Sequence, residues 1–117
     1  MSEENFRNLE ERTLEFSKRA VRICQDIPKN TANLELIKQF VRSACSIGAN
    51  YREANEALGK KDFALRVRIS RKEAKETSYW LEILLDANPN CTALTKLLGE
   101  TIELRKILSA ILSKTQS

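Results

Sequence analysis

Apolar residues recur every three or four positions in four separate stretches of the chain. In the first stretch the repeating positions are Phe6, Leu9, Thr13, Phe16, Ala20, Ile23 and Ile27. This spacing places about one side chain per turn on the same face of an α-helix, as expected for a helix that packs on a core. The pattern predicts helices at about residues 5–27, 34–58, 62–87 and 93–113.

Residues that break helices separate these stretches. Pro28 ends the first, because a proline disfavours helical backbone in the residue before it and has no N–H to donate. We expect Asn33 to cap the second helix, Gly59 to end it and Asp62 to cap the third. The segment NPNCT, residues 88–92, separates the third helix from the fourth.

Long helices joined by short connections predict the fold class. A chain of 117 residues can bury one hydrophobic core but is short for two. No stretch alternates at the period of a β-strand, and the sustained spacing favours helices that cross at about 20°. We therefore predict a single all-α domain over residues 1–117, folded as an antiparallel up-down four-helix bundle.

The composition excludes several classes of function. The chain has no histidine, which rules out histidine-based acid–base catalysis, histidine-activated nucleophiles and most zinc or di-iron sites. Its three cysteines lie far apart, without the paired spacing of a metal or redox motif, and indicate reduced thiols. We expect a non-enzymatic protein that needs no metal or cofactor.

The sequence also predicts the cellular compartment. No apolar run approaches the roughly 20 residues that a membrane span needs. The first residues, MSEENFRNLEE, are acidic and lack the basic start and apolar stretch of a signal peptide. We therefore expect a cytoplasmic protein with no membrane partner.

Positive charge is concentrated in the second half of the chain. Residues 1–58 carry nine Lys and Arg against nine Asp and Glu, whereas residues 59–117 carry eleven against seven, which accounts for the net charge of +4. Phosphate backbones attract basic residues clustered on one helix face, and a solvated face or a salt-bridged subunit contact is the alternative. The candidate nucleic-acid-binding residues are Lys60, Lys61, Arg68, Arg71, Lys72 and Lys75.

An aromatic pair, Tyr79 and Trp80, follows the basic residues on the third helix. We expect Trp80 to pack in the core or at an interface, as large aromatic side chains often do, and Tyr79 to lie at the surface. A stacking platform for bases would need exposed cations beside it. No aromatic residue lies between Arg68 and Lys75, so base-specific recognition is not predicted.

Polar residues and a glycine interrupt the facing sides of the second and third helices. Gly48 would let another backbone approach closely, at a helix cost of about 1 kcal/mol. Because these helices run antiparallel about Gly59, Glu53 should lie level with Arg66 or Arg68 and pair with one of them. We predict a polar seam that fixes the register of the two helices or a subunit contact. Its members are Asn50, Glu53, Arg66, Glu73 and Glu76.

The same carboxylates raise the alternative of a metal site inside the bundle. Ferritin-like sites take a Glu-x-x-His motif from each of two helices, and this chain has no histidine. We therefore interpret Glu53, Glu73 and Glu76 as groups that form structural salt bridges and hydrogen bonds.

Two motifs carry a resemblance to a known family. The second helix contains a Ser-x-(Gly/Pro)-x-Asn-x-x-Glu pattern, at Ser46, Gly48, Asn50 and Glu53. The third contains Asp-Phe and then Glu-Ala-x-Glu-Thr, at Asp62, Phe63, Glu73, Ala74, Glu76 and Thr77. With these motifs in order, the chain resembles the small four-helix-bundle proteins encoded in intervening sequences of bacterial 23S ribosomal RNA genes.

The resemblance implies an assembly and a class of partners. Proteins of this family are similar to the accessory proteins of diversity-generating retroelements, which are basic pentamers that bind nucleic acid and a reverse transcriptase. The family has no known enzymatic activity. The resemblance therefore implies a homo-oligomer, a ring-like homopentamer, that presents basic helix faces to RNA or DNA. The alternative is a protein-interaction scaffold with no nucleic-acid role, whose basic face binds an acidic partner such as a polymerase.

Overall fold

The four amphipathic stretches form four helices in the computed structural model, which describes residues 8–116 and the side chains of residues 8–115. They are α1 (Leu9–Ile23), α2 (Thr31–Asn55), α3 (Lys60–Ala87) and α4 (Ala93–Gln116), and one 3-10 turn, Cys24–Asp26, follows α1. Each helix packs against the next, and α1 also contacts α4. The predicted all-α antiparallel four-helix bundle is confirmed, in a body of 45 × 24 × 20 Å.

The predicted apolar stripes form the core of the bundle. The largest fully buried side chains include Phe16 on α1, Phe40 on α2, Leu81 on α3 and Leu108 on α4. Burial of such side chains contributes about 1.5–3 kcal/mol each, which makes the core the main source of stability. The predicted start of the first helix at residues 5–7, including Phe6, lies outside the described residues.

The beginning of α2 differs from the prediction. Asn30, not Asn33, caps the helix, because its side-chain oxygen accepts a hydrogen bond from the Asn33 backbone N–H at 2.8 Å. Asn33 lies inside the first turn and is buried. Its side-chain amide donates to the Pro28 carbonyl and to Asn88 Oδ1, both at 2.9 Å. Asn33 therefore joins the two loops at this end of the bundle.

The connection between α2 and α3 also differs from the prediction. The second helix ends at Asn55, and Gly59 is the N-cap of α3 in ordinary extended backbone, so it does not end α2. Asp62 lies in the first helical turn, where its carboxylate faces the positive end of the helix dipole. Leu58, the last residue of the predicted second helix, is 100% exposed because the helix ends before it.

Helices α1 and α2 approach each other closely at Gly48. A Cβ atom added at this glycine would lie 2.8 Å from Thr13 Oγ1 and 3.0 Å from Thr13 Cβ. Thr13 is buried, and its hydroxyl donates to the Leu9 carbonyl at 2.9 Å, which holds the side chain in place. The structure therefore confirms that Gly48 permits a close approach, and the approaching helix is α1 of the same chain.

Buried hydroxyl groups join α2 to α3. Ser70 Oγ donates to the Ile47 carbonyl at 2.7 Å, and the hydroxyls of Ser43 and Thr77 are hydrogen-bonded at 2.9 Å. Ser43, Ser70 and Thr77 are fully buried. Buried polar groups need partners, so these bonds favour one register of α2 along α3.

The bundle is closed on its other side by an ion pair between α1 and α4. The Arg12 guanidinium binds both carboxylate oxygens of Glu100, at 2.7 and 2.8 Å. The hydrogen bonds to Glu100 raise the pKa of Arg12 and outweigh its partial burial. A two-pronged contact of this kind orients the helices better than a single charge pair does.

We predict that Gly48→Ala destabilises the protein by about 1–2 kcal/mol, because the new methyl group overlaps Thr13 by more than its helix propensity offsets. Gly99→Ala is the matched control, since Gly99 lies in α4 with nothing within 4 Å of its added Cβ, and it should stabilise by about 0.5–1 kcal/mol. Urea unfolding of both variants measures the difference. Equal stabilisation by the two alanines would contradict the close approach.

Candidate nucleic-acid interface

Helix α3 packs on both sides and exposes one face. Its core face carries Val67, Ser70, Ala74, Thr77, Leu81 and Leu84, all buried between α2 and α4. The neighbouring face of α3 is half-buried along its length, at Arg66, Ile69, Glu73, Glu76, Trp80 and Ile83. The face opposite the core is therefore available to a ligand.

Four of the six candidate basic residues share that outward face. Lys61, Arg68, Lys72 and Lys75 follow one another at steps of seven, four and three, and all four are exposed. These steps correspond to whole turns of a helix, so the side chains lie in a row. We call this set, Lys61, Arg68, Lys72 and Lys75, the basic stripe.

The other two candidates lie beside the stripe. Lys60 is exposed in the first turn of α3, on the side of Val67, and lines a recess at that end of the bundle with Leu58. Arg71 is half-buried and turns towards α4, where its Nη1 lies 3.5 Å from Ser109 Oγ. The structure therefore brings four of the six together. Lys60 lies at one end of the row, and Arg71 lies at the edge that faces α4.

Helix α4 adds cations that sequence reasoning missed. Since α3 and α4 run antiparallel, the contact between Arg71 and Ser109 places Arg105 level with Lys75. Arg105 is half-exposed and Lys106 is exposed. The position of Arg105 depends on the register between α3 and α4. The spacing of residues within one helix could not have predicted it.

The charge of the basic stripe is not compensated within the described chain. None of its four side chains forms an ion pair with an acidic residue of the part of the chain that the structure describes. By contrast, Arg12, Arg22, Arg42 and Arg52 each pair with a glutamate. Uncompensated cations in a row create a local positive potential that attracts polyanions.

Glu73 and Glu76, which adjoin Lys72 and Lys75 in the sequence, are bound by an arginine of α2. Arg42 Nη1 lies 3.4 Å from Glu73 Oε2, and Arg42 Nη2 forms a close ion pair with Glu76. Glu76 lies four residues after Lys72, the spacing at which a glutamate and a lysine can pair along a helix. Because Arg42 engages Glu76 instead, Lys72 keeps its charge free of a partner.

This cluster shifts the pKa values of its members. Partial burial and a hydrogen bond that the protonated Glu73 carboxyl can donate to Glu76 raise the pKa of Glu73, and Arg42 opposes this shift. Slight desolvation lowers the pKa of Arg42, but its contacts with Glu76 and Glu73 raise it overall. One guanidinium therefore serves two carboxylates. The sequence does contain a signal for Arg42. It lies four residues before Ser46 and eight before Asn50, and therefore on the same side of α2 as these polar residues.

The rest of the predicted polar seam is not assembled. Asn50 Nδ2 donates to the Ser46 carbonyl of its own helix at 2.9 Å. Glu53 is exposed and forms no ion pair with Arg66, Arg68 or any other described residue, so the predicted pairing is wrong. The reason is that Glu53 lies on the solvent side of the last turn of α2, whereas Tyr51 and Ala54 form the buried side of that turn.

No helix within residues 8–116 has the length and apolarity needed to cross a bilayer. The same residues contain no group of three or more cysteine, aspartate or glutamate side chains placed to hold a metal ion. Cys24, Cys45 and Cys91 are free thiols, and burial raises the pKa of Cys24.

Comparisons with known proteins agree with the motifs. The family model described as 23S rRNA-intervening sequence protein matches residues 7–110. A crystal structure of a protein of unknown function from the S23 ribosomal protein family, from Bacteroides thetaiotaomicron VPI-5482, superposes with a TM-score of 0.78. It is 33% identical, and the match covers 88% of this chain and 96% of that one. No curated protein matches the chain. The chain belongs to the 23S rRNA-intervening sequence protein family.

Proposed function

We propose that this protein binds RNA or DNA through the basic stripe of α3 and acts without catalysing a reaction. The observation that carries the proposal is the row of exposed cations with no acidic partner among the described residues. The acidic residues that adjoin Lys72 and Lys75 in the sequence, Glu73 and Glu76, are bound by Arg42.

The dimensions of the stripe suit a phosphate backbone. Lys61 and Lys75 are fourteen residues apart, so the stripe is about 21 Å long at 1.5 Å per residue. Phosphates along one strand are spaced by about 3.4 Å along the axis of a duplex, so the stripe spans roughly six of them. Such contacts recognise charge and not base sequence, because phosphates are the same at every position.

We also propose that the protein self-associates, as the family resemblance implies for a ring-like homopentamer. Leu14 and Val21 are two turns apart on α1 and are 40% and 51% exposed. Leu14 borders a groove of about 310 Å³ between α1 and α2 that also includes Cys45 and Ala49. An apolar surface of this kind is typical of protein interfaces, and a symmetric ring would repeat the basic stripe in every subunit.

The competing proposal is a scaffold whose basic face binds an acidic protein, such as a reverse transcriptase or another polymerase. Both proposals use the same cations, so loss of binding on mutation does not separate them. Salt dependence does, because each phosphate contact releases condensed counterions and gives a steep linear fall of log affinity with log salt.

We predict that purified protein binds fluorescent RNA or DNA with an affinity that falls steeply between about 50 and 200 mM salt. Changing Arg68, Lys72 and Lys75 to Gln should weaken binding at least tenfold and reduce the salt slope by about two to three. Fluorescence anisotropy measures both quantities. The matched control changes Lys18, Lys38 and Lys96 to Gln, which removes the same charge from exposed positions on other helices.

The control decides the interpretation of that experiment. If it weakens binding as much as the stripe variant does, net charge and not the stripe is responsible. If the wild-type protein fails to bind at low salt, the nucleic-acid function is wrong and the scaffold is the better account.

We predict that Arg42→Gln weakens nucleic-acid binding about two- to fivefold, although Arg42 lies outside the stripe. The change frees Glu76 to pair with Lys72 and leaves two carboxylates next to the cations. Adding Glu76→Gln should restore most of the affinity. Arg22→Gln is the control, since it breaks an exposed pair with Glu15 on α1, and a loss as large as that of Arg42→Gln would refute this role.

We predict that light scattering gives a particle several times heavier than the 13.4 kDa chain. Leu14→Glu combined with Val21→Glu should reduce the mass, because burying two charges in an apolar contact is costly. Leu58→Glu changes an equally apolar residue outside that surface and should leave the mass unchanged. A monomeric wild-type protein would exclude self-association, and any mass other than that of five chains would exclude the pentamer.

A further inference from the structure

Tyr79 occupies the next position of the basic stripe. It lies four residues after Lys75, one helical turn further along the same outward face of α3. Its side chain is 57% exposed, which confirms the expectation that it lies at the surface. An exposed aromatic ring thus lies one turn from the exposed cation Lys75 and in line with the rest of the basic stripe, and proteins that bind single strands combine rings and cations in this way.

The ring of Tyr79 packs against the adjacent Trp80. The contact is edge-to-face, with a centroid distance of 5.1 Å and an interplanar angle of 74°. Trp80 is half-buried against the core, and its indole nitrogen is enclosed by protein. Because the tryptophan is anchored, Tyr79 loses little rotamer freedom when a ligand packs on it, which lowers the cost of binding.

We propose that Tyr79 is a stacking platform for an unpaired base, so that the preferred ligand of the basic stripe is single-stranded nucleic acid. This inference rests on the proposed nucleic-acid function. The cations bind successive phosphates while a base from the same strand lies on the tyrosine ring one turn beyond Lys75. In a duplex the base faces are stacked on one another and are unavailable, whereas in a single strand they are free to pack on an aromatic side chain.

RNA and DNA share this chemistry, since each has a phosphate backbone and bases with flat faces. Neither the row of cations nor the ring distinguishes a ribose from a deoxyribose, because neither requires the 2′-hydroxyl. The stacking site therefore predicts a preference for single strands over duplexes of either sugar.

The test is a comparison of four ligands with three proteins. The ligands are a single-stranded RNA, a single-stranded DNA of the same sequence, the corresponding DNA duplex, and a DNA strand of abasic sites with the same number of phosphates. The proteins are the wild type, Tyr79→Ala and Tyr79→Phe. Affinities are measured by anisotropy at one salt concentration, and circular dichroism and light scattering check that each variant keeps its fold and mass.

We expect Tyr79→Ala to lose at least about fivefold in affinity for single strands that carry bases, the lower end of the effect of one lost stack. Tyr79→Phe keeps the ring and should bind like the wild type. The abasic strand and the duplex should bind the wild type and Tyr79→Ala equally, because they offer no free base. The ratio of the affinity for a strand that carries bases to the affinity for the abasic strand therefore measures stacking separately from charge.

Two outcomes would overturn the inference while leaving the proposed function intact. One is wild-type affinity of Tyr79→Ala for single strands, which would show that the ring does not contact a base. The other is an equal loss of affinity for the strand that carries bases and for the abasic strand. That result would mean that Tyr79 supports the fold or contacts the phosphate backbone. Failure of the wild type to bind any of the four ligands would overturn the proposed function together with the inference.

Discussion

The register between α2 and α3 determines which side of α3 faces the solvent. Two buried contacts hold it: the Ser70 hydroxyl donates to the Ile47 carbonyl, and the Thr77 hydroxyl lies 2.9 Å from Ser43 Oγ. A shift by one turn would break both contacts. It would leave the Ser70 hydroxyl unsatisfied in the core, at a cost of about 1–3 kcal/mol, whereas Ser43 and Thr77 also bond carbonyls of their own helices. The apolar stripes alone would tolerate such a shift better, because leucine and alanine positions recur at every turn.

The same register brings Arg42 to Glu73 and Glu76, and this contact links the fold to the proposed function. An isolated α3 would place Glu76 one turn from Lys72, where the two would partly neutralise each other. In the bundle, α2 supplies a competing cation. Glu73 and Glu76, which would otherwise weaken the stripe, instead help to hold two helices together, and the basic stripe remains positive.

Much of the fold follows from periodicity. The repeating apolar positions of α1 and α3 are buried, because their spacing is kept over many turns. Phe63, at the beginning of α3, is half-buried. Helix ends were less predictable, since several neighbouring residues can act as a cap. Asn30 and Asn33 are both good caps, and only the contact of Asn33 with Asn88 across the two loops explains why Asn30 takes the role.

The candidate site was predictable only in part, for a related reason. Lys61, Arg68, Lys72, Lys75 and Tyr79 lie on one helix, so their common face follows from local geometry. Arg42 and Arg105 reach the site from other helices, and their positions depend on interhelical register. The predicted partner of Glu53 failed because an equal height along two helices does not place two side chains on the same face, and Glu53 lies on the solvent face of α2.

The most direct test of the account is to map the lysines that a nucleic acid protects. The free protein and its complex would be acetylated briefly with a lysine-specific reagent, and each site quantified by mass spectrometry. The account predicts protection of Lys61, Lys72 and Lys75, with Lys18, Lys38 and Lys96 reacting as in the free protein. Equal protection of both sets, or protection of the second set alone, would contradict a binding surface on α3.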